Sequence, residues 1–320
     1  MQPTWNAARA IPRMMPRRQF VKLASCAAAW FVAGCVTGNE KGEDEAGAQS
    51  VPHDTPPSAA RPGRIYKSVK WGMVQVRGSV EAKFRVLKEL GYDGVELESP
   101  TDLRPDEVRA ATAATGLPVH GVVNARHWQI RLSSPDEAVR REGREILAQA
   151  LRDAHAFGGD SVLLVPGRVE GADETHDDVW QRSIAEIRPV LPVASHLGVR
   201  VLIETVWNGF CEQPEQLRDY LDEINSPWVA AYLDLGNVQK FAPTEAWVRT
   251  LGARIVKLDI KDWGQQPGFC KIGDGDVNWS DVRTALSDIQ FTGWCTAEVA
   301  GGGREELADI AARMDRVLGL

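Results

Sequence analysis

From residue 64 onward the chain alternates between two hydrophobic periods. Short apolar runs predict strands at Val69–Val74, Gly94–Leu97, Pro118–Val123, Ser161–Pro166, Arg200–Thr205, Val229–Asp234, Ile255–Ile260 and Trp294–Val299. The runs are nearly continuous rather than alternating, as in strands covered on both faces of a parallel sheet. Between them, apolar residues recur at spacings of three and four. This predicts helices over Val80–Leu90, Arg104–Thr115, Pro135–Phe157, Thr175–Leu197, Pro214–Ile224, Thr244–Leu251, Ser280–Ile289 and Glu305–Leu318. Gly91, Gly116 and Gly158 stand where the first three would end. Eight strands alternating with eight helices over residues 64–320 suit an α/β fold, a (β/α)8 TIM barrel. A doubly wound open sheet would carry a glycine-rich phosphate turn after its first strand, and Gly72-Met73-Val74-Gln75 is not one.

The predicted strands place acids where a barrel does its chemistry. The runs ending at Glu204, Asp234, Asp259 and Glu298 each deliver one carboxylate to the C-terminal edge of the sheet. Four such acids at one mouth repel: each like pair at ~4 Å and an effective dielectric of ~20 costs roughly 4 kcal/mol. A divalent cation relieves that repulsion, and all-oxygen ligation favours Mn²⁺ or Mg²⁺ over thiolate-seeking ions. The sequence therefore points to a metal-dependent enzyme.

Ahead of the barrel lies a targeting segment. Arg17-Arg18-Gln19-Phe20-Val21-Lys22 is a twin-arginine pattern, and Leu23 to Gly34 is an apolar run too short to span a bilayer. It ends in Val32-Ala33-Gly34-Cys35, which resembles a lipobox with Cys35 as the lipidated residue. Residues 36–63 are rich in Gly, Pro, Ala and charge and read as a tether. The expectation is a signal over 1–35, a linker over 36–63 and a barrel over 64–320, exported and held to the cell envelope by an N-terminal lipid. The other cysteines, Cys26, Cys211, Cys270 and Cys295, show neither a disulfide framework nor metal spacing. A net charge of −7 with dispersed Lys and Arg argues against a nucleic-acid partner.

Several stretches together resemble the xylose isomerase-like barrel superfamily, especially its sugar isomerases and epimerases. They are Gly94-Val95-Glu96-Leu97, Glu204-Thr205-Val206-Trp207-Asn208, Asp234-Leu235-Gly236-Asn237, Lys257-Leu258-Asp259-Ile260-Lys261-Asp262, Gly273-Asp274-Gly275-Asp276-Val277-Asn278-Trp279 and Gly293-Trp294-Cys295-Thr296-Ala297-Glu298-Val299. The resemblance implies a divalent metal held by Glu204, Asp234, Asp259 and Glu298. It also implies a carbohydrate substrate and proton transfer through a cis-enediolate, with Glu204 and Glu298 as the acid–base pair. Two positions depart from the pattern of tagatose epimerases. Asp259 replaces a ligating His, and Asn237 replaces a substrate-binding His. Lys257 and Lys261 share side-chain parity with Asp259 and could offset its charge; Asp259 then either ligates metal or pairs with a lysine. Other expected substrate contacts are Asn237, Lys261, His127, Trp128, Trp207, Asn208 and Glu98. His120 reads as a core histidine. Alternatives are a dehydratase or lyase using the same Glu pair, a non-catalytic sugar-binding lipoprotein, and a repair endonuclease of the same barrel type. The scarcity of histidines at the strand ends speaks against the last.

Overall fold

The structure is a computed structural model and describes residues 64–320. The expected signal over 1–35 with Cys35, and the expected linker over 36–63, lie outside the described residues. Eight parallel strands close into a barrel: β1 (Ile65–Lys70), β2 (Gly94–Ser99), β3 (Val119–Asn124), β4 (Ser161–Leu164), β5 (Arg200–Ile203), β6 (Val229–Asp234), β7 (Ile255–Ile260) and β10 (Gly293–Ala297). Their order around the ring is β1-β10-β7-β6-β5-β4-β3-β2. A two-stranded antiparallel hairpin, β8 (Asp262–Gly264) and β9 (Gly268–Cys270), rises after β7.

The helices largely follow the periodicity: α1 (Val80–Glu89), α2 (Pro105–Thr115), α3 (Glu137–Phe157), α4 (His176–Ile187), α5 (Leu191–Leu197), α6 (Pro214–Ile224), α7 (Leu235–Val238), α8 (Thr244–Leu251), α9 (Trp279–Asp288) and α10 (Arg304–Leu318). Gly116 and Gly158 cap α2 and α3 in the left-handed region, with φ of 68° and 89°. Buried side chains such as Phe84, Leu147, Leu151 and Trp247 fill the layer between strands and helices. Each contributes roughly 2 kcal/mol by its removal from water.

Three local expectations are corrected. The first strand is not Val69–Val74 but Ile65–Lys70, registered against β10 from Ile65 opposite Gly293. Trp71–Met73 is instead a single 3-10 turn. The predicted helix Thr175–Leu197 is broken by a 3-10 turn over Arg188–Val190, because Pro189 and Pro192 lack the amide hydrogen a continuous helix needs. The β8–β9 hairpin, with three residues per strand, was not foreseen.

Candidate metal and sugar site at the barrel mouth

Register brings the acids together. Asp234 lies beside Asp259 in the β6–β7 ladder, and Asp259 lies beside Thr296 in the β7–β10 ladder. Glu204 and Glu298 follow β5 and β10, and their amides still continue the ladder to Leu164 O (3.0 Å) and Ile260 O (3.2 Å). Each of the four offers an oxygen, all within 4.8 Å of one another.

Asp234 shows how local structure divides a carboxylate between two tasks. Its Oδ1 caps the one-turn helix α7, accepting from Gly236 N (2.9 Å) and Asn237 N (2.8 Å). Its Oδ2 is left facing the cluster. Gly236 is required because a Cβ there would lie 2.8 Å from the Lys261 backbone. Oδ1 of Asp259 is buried with no partner, and Oδ2 of Asp234, Oδ2 of Asp259 and Oε2 of Glu298 have only a lysine ammonium beside them. Buried carboxylates that outnumber the cations beside them are costly, and a hard cation ligated by oxygen fits this donor set.

Two lysines approach the cluster. Lys261 Nζ lies 2.9 Å from both Asp234 Oδ2 and Glu298 Oε2. Lys70 Nζ lies 3.0 Å from both Asp259 Oδ2 and Glu96 Oε2. Asp259 is therefore paired with a lysine that the sequence reading did not consider, while its carboxylate remains within the four-acid group. Lys257 has the expected parity but sits two residues lower on β7. Its ammonium is bound near the barrel floor by Asp160 Oδ1 (2.6 Å) and Ser161 Oγ (2.7 Å), so it does not offset Asp259. Lys261 also serves acids other than the expected one.

The electrostatics follow from burial and these contacts. Burial, reinforced by Glu298, pushes Glu204 well above the usual carboxylate range. Burial raises Asp234 to about 6 against the pull of Lys261, and raises Asp259 well above its ordinary value against Lys70. Burial also acts upward on Glu298, but Lys70 and Lys261 outweigh it and hold this carboxyl at about 2. Burial disfavours the Lys70 ammonium, yet Asp259 and Glu96 more than compensate and keep it charged.

Above the acids lies a cavity of about 340 Å³ lined by Lys70, His127, Trp128, Glu204, Trp207, Asn237, Lys261, Phe269 and Glu298, with Val123, Leu163 and Val206. His127 Nδ1 accepts from Val165 N at 3.2 Å, which assigns its proton to Nε2. Burial, then Lys70, lowers its pKa to about 3, so it is a neutral donor. Asn237 Nδ2 reaches Glu204 Oε1 at 3.4 Å, and Trp207 Nε1 donates to Asn237 O at 2.8 Å. Asn208 is not among the lining residues: it donates to Gly167 O (2.6 Å) and accepts from Phe210 N (3.0 Å), which holds its loop in shape. Glu98 is exposed at the mouth beside Gly72 and likewise lies outside the lining. Lys70, Glu96 and Phe269 are the residues of this region that sequence reasoning missed as site residues.

The profile of the xylose isomerase-like TIM barrel family matches residues 84–316. The chain belongs to that family. Among curated relatives, L-ribulose-5-phosphate 3-epimerase of Salmonella paratyphi C is 26% identical over 228 residues, covering 67% of this chain and 78% of the relative. Among solved structures, an L-ribulose 3-epimerase superposes with a TM-score of 0.68 at 18% identity, covering 80% of this chain and 95% of the other. The 3-keto-D-glucoside 4-epimerase of E. coli superposes with a TM-score of 0.69 at 16% identity, covering 80% and 100%. The expectation of an isomerase or epimerase on a xylose isomerase-like barrel agrees with these relatives.

Proposed function

We propose that the protein is a divalent metal-dependent isomerase or epimerase of a free, non-phosphorylated sugar. The observation that carries this reading is the group of four carboxylates from consecutive strand ends, more acids than the lysines beside them balance, beneath a cavity that also holds neutral donors. Glu204, Asp234, Asp259 and Glu298 would hold the ion, with Mn²⁺ or Mg²⁺ suiting their hard oxygens. When bound, it would polarise a carbonyl and the adjacent hydroxyl and so acidify the carbon-bound proton between them.

The chain's own residues supply the remainder. Glu204 and Glu298 follow strands three apart in the ring, so they flank a sugar from two sides. One removes the proton from carbon and the other returns it, on the opposite face for epimerisation or on the neighbouring carbon for isomerisation. Lys70 places a fixed positive charge at the cavity wall, where negative charge develops on the enediolate oxygen. His127 Nε2–H and the Asn237 amide orient hydroxyls. Trp128 and Trp207 wall the cavity.

The curated relative named above acts on a phosphosugar, but a phosphate would find little here. The first turn of α10 carries Glu305 and Glu306, and Glu306 folds against Gly302 and Gly303, where a helix N-terminus would otherwise receive an anion. Lys70 and Lys261 are each engaged by two carboxylates. The twin-arginine pattern at Arg17-Arg18 and the lipobox-like Cys35, read as export signals, favour the same choice of an unphosphorylated sugar.

The test is proton exchange. Metal-stripped protein reloaded with Mn²⁺ is incubated with free ketoses and aldoses in D₂O and followed by NMR. The expected result is metal-dependent exchange of the proton α to the carbonyl. Expulsion of a leaving group instead would make the protein a lyase, and tight sugar binding without exchange would make it a binding protein.

A further inference from the structure

Among the described residues, the exposed large hydrophobic side chains are Trp128 (40%), Trp207 (38%), Phe269 (50%) and Leu320. The three aromatic ones line the same cavity. Aromatic surface gathered at the mouth of an otherwise polar pocket marks a contact site rather than scattered exposure. Topology sets two of them on opposite sides of the mouth. Trp128 follows β3 and Phe269 is carried on β9 after β7, and β3 and β7 lie opposite one another in the eight-stranded ring.

One wall is built to hold its place. Phe269 stacks on Trp207 with centroids 4.7 Å apart and planes inclined by 26°. Trp207 is fixed by its bond to Asn237 O (2.8 Å), by the edge of Trp263 (5.7 Å) and by Lys240 over its ring (4.2 Å). The hairpin that carries Phe269 is anchored by buried Asp262, whose Oδ2 accepts from Gly273 N (2.8 Å) and Trp279 Nε1 (2.9 Å). Across the mouth, Trp128 stands edge-on to His127 at 5.0 Å.

The cavity is thus polar at the floor and aromatic at the rim. A sugar ring has the same division, with hydroxyls around its edge and C–H bonds on its faces. The floor satisfies one ring through the carboxylates, His127 and Asn237. Whatever projects from that ring toward solvent meets Phe269 and Trp128. We propose that this rim is a second sugar subsite, and that the substrate is a ketose bearing a further sugar ring through a glycosidic bond. The identity of the first ring rests on the proton-transfer reading given above; the rim does not.

The probes are isomaltulose, a fructose with glucose joined at O6, and fructose itself. Both are titrated calorimetrically into the full-length, Mn²⁺-loaded protein, with proton exchange followed in D₂O. Isomaltulose is expected to bind about tenfold more tightly, equivalent to about 1.4 kcal/mol. Phe269→Ala is expected to bring the ratio of the two affinities down to within about twofold. Equal affinities in the wild type, absence of isomaltulose binding, or a preference that Phe269→Ala leaves intact would each overturn the subsite. So would a dimer that dissociates in Phe269→Ala with no sugar preference, which would make the rim a contact between copies. A preference that is present without exchange on either sugar removes the proton-transfer reading and leaves the subsite. Exchange on fructose without a preference removes the subsite alone.

Discussion

Two polar layers occupy the barrel interior, where aliphatic side chains are usual, and they are built on opposite principles. In the lower layer every group has a partner. Lys257 Nζ is surrounded by Asp160 Oδ1, Ser161 Oγ, the His120 carbonyl (2.6 Å) and His120 Nδ1 (3.0 Å). His120 Nε2 meets Ser68 Oγ (2.8 Å) and Thr296 Oγ1 (3.3 Å), its ring stacks on Trp294 at 4.5 Å, and Tyr232 donates to Thr296 (2.8 Å). In the upper layer Glu96 Oε1 and Asp259 Oδ1 are buried without a partner, and the carboxylates of Glu96, Glu204, Asp234, Asp259 and Glu298 are set against two ammonium ions, Lys70 and Lys261. A satisfied buried network supports the fold, whereas an unsatisfied one detracts from stability. The lower layer is accounted for by stability. The upper layer fits the metal site proposed above.

The sharpest break between the layers comes from changing charge without changing shape above. Glu204→Gln and Glu298→Gln should each lower metal-dependent α-proton exchange by about a thousandfold. Circular dichroism and the melting temperature should show an intact barrel. Near-normal exchange in both variants would remove the acid–base assignment.

Below, the converse applies. Lys257→Met strands Asp160 and removes the donors to Ser161 and the His120 carbonyl. Urea unfolding should show a loss of about 2–3 kcal/mol, with Mn²⁺ affinity unchanged. A negligible loss would mean that the lower layer does not carry stability.

A smaller effect appears with pH. Burial, then Lys257 and Lys70, pushes His120 well below its usual range. The unfolded chain takes up a proton near pH 6.5 and the folded chain does not, so below that value the unfolded state binds more protons. Stability should therefore fall with falling pH, by up to about 1.4 kcal/mol per unit from this group. In His120→Gln, unfolding free energies measured between pH 7.5 and 5 should show a correspondingly shallower slope. An unchanged slope would contradict the neutral, buried assignment.

The difference between the layers also explains what was legible in the sequence. Glu204, Asp234, Asp259 and Glu298 each end an apolar run, and that pattern alone places an inward carboxylate at the mouth. Partner choice depends on the level of each residue in the barrel, which parity does not encode. Lys257 and Asp259 share a face of β7, but two residues along a strand is roughly 6.6 Å, enough to put the lysine on the floor. Lys70 was missed because Trp71, Met73 and Val74 read as strand yet form a turn after it. Phe269 was missed because three-residue strands carry almost no periodic signal. Glu98 lies one residue past the predicted strand Gly94–Leu97, on the observed β2, and its exposed position outside the cavity lining depended on the geometry of the mouth.

The proposed chemistry requires a cation among the four carboxylates of the upper layer. The most direct measurement is a calorimetric titration of Mn²⁺ into metal-stripped protein, with the melting temperature followed in parallel. The expected result is one equivalent bound per chain, a higher melting temperature, and an affinity reduced at least about tenfold in Asp259→Asn. Failure to bind Mn²⁺, Mg²⁺ or any other divalent ion at the four carboxylates would contradict it.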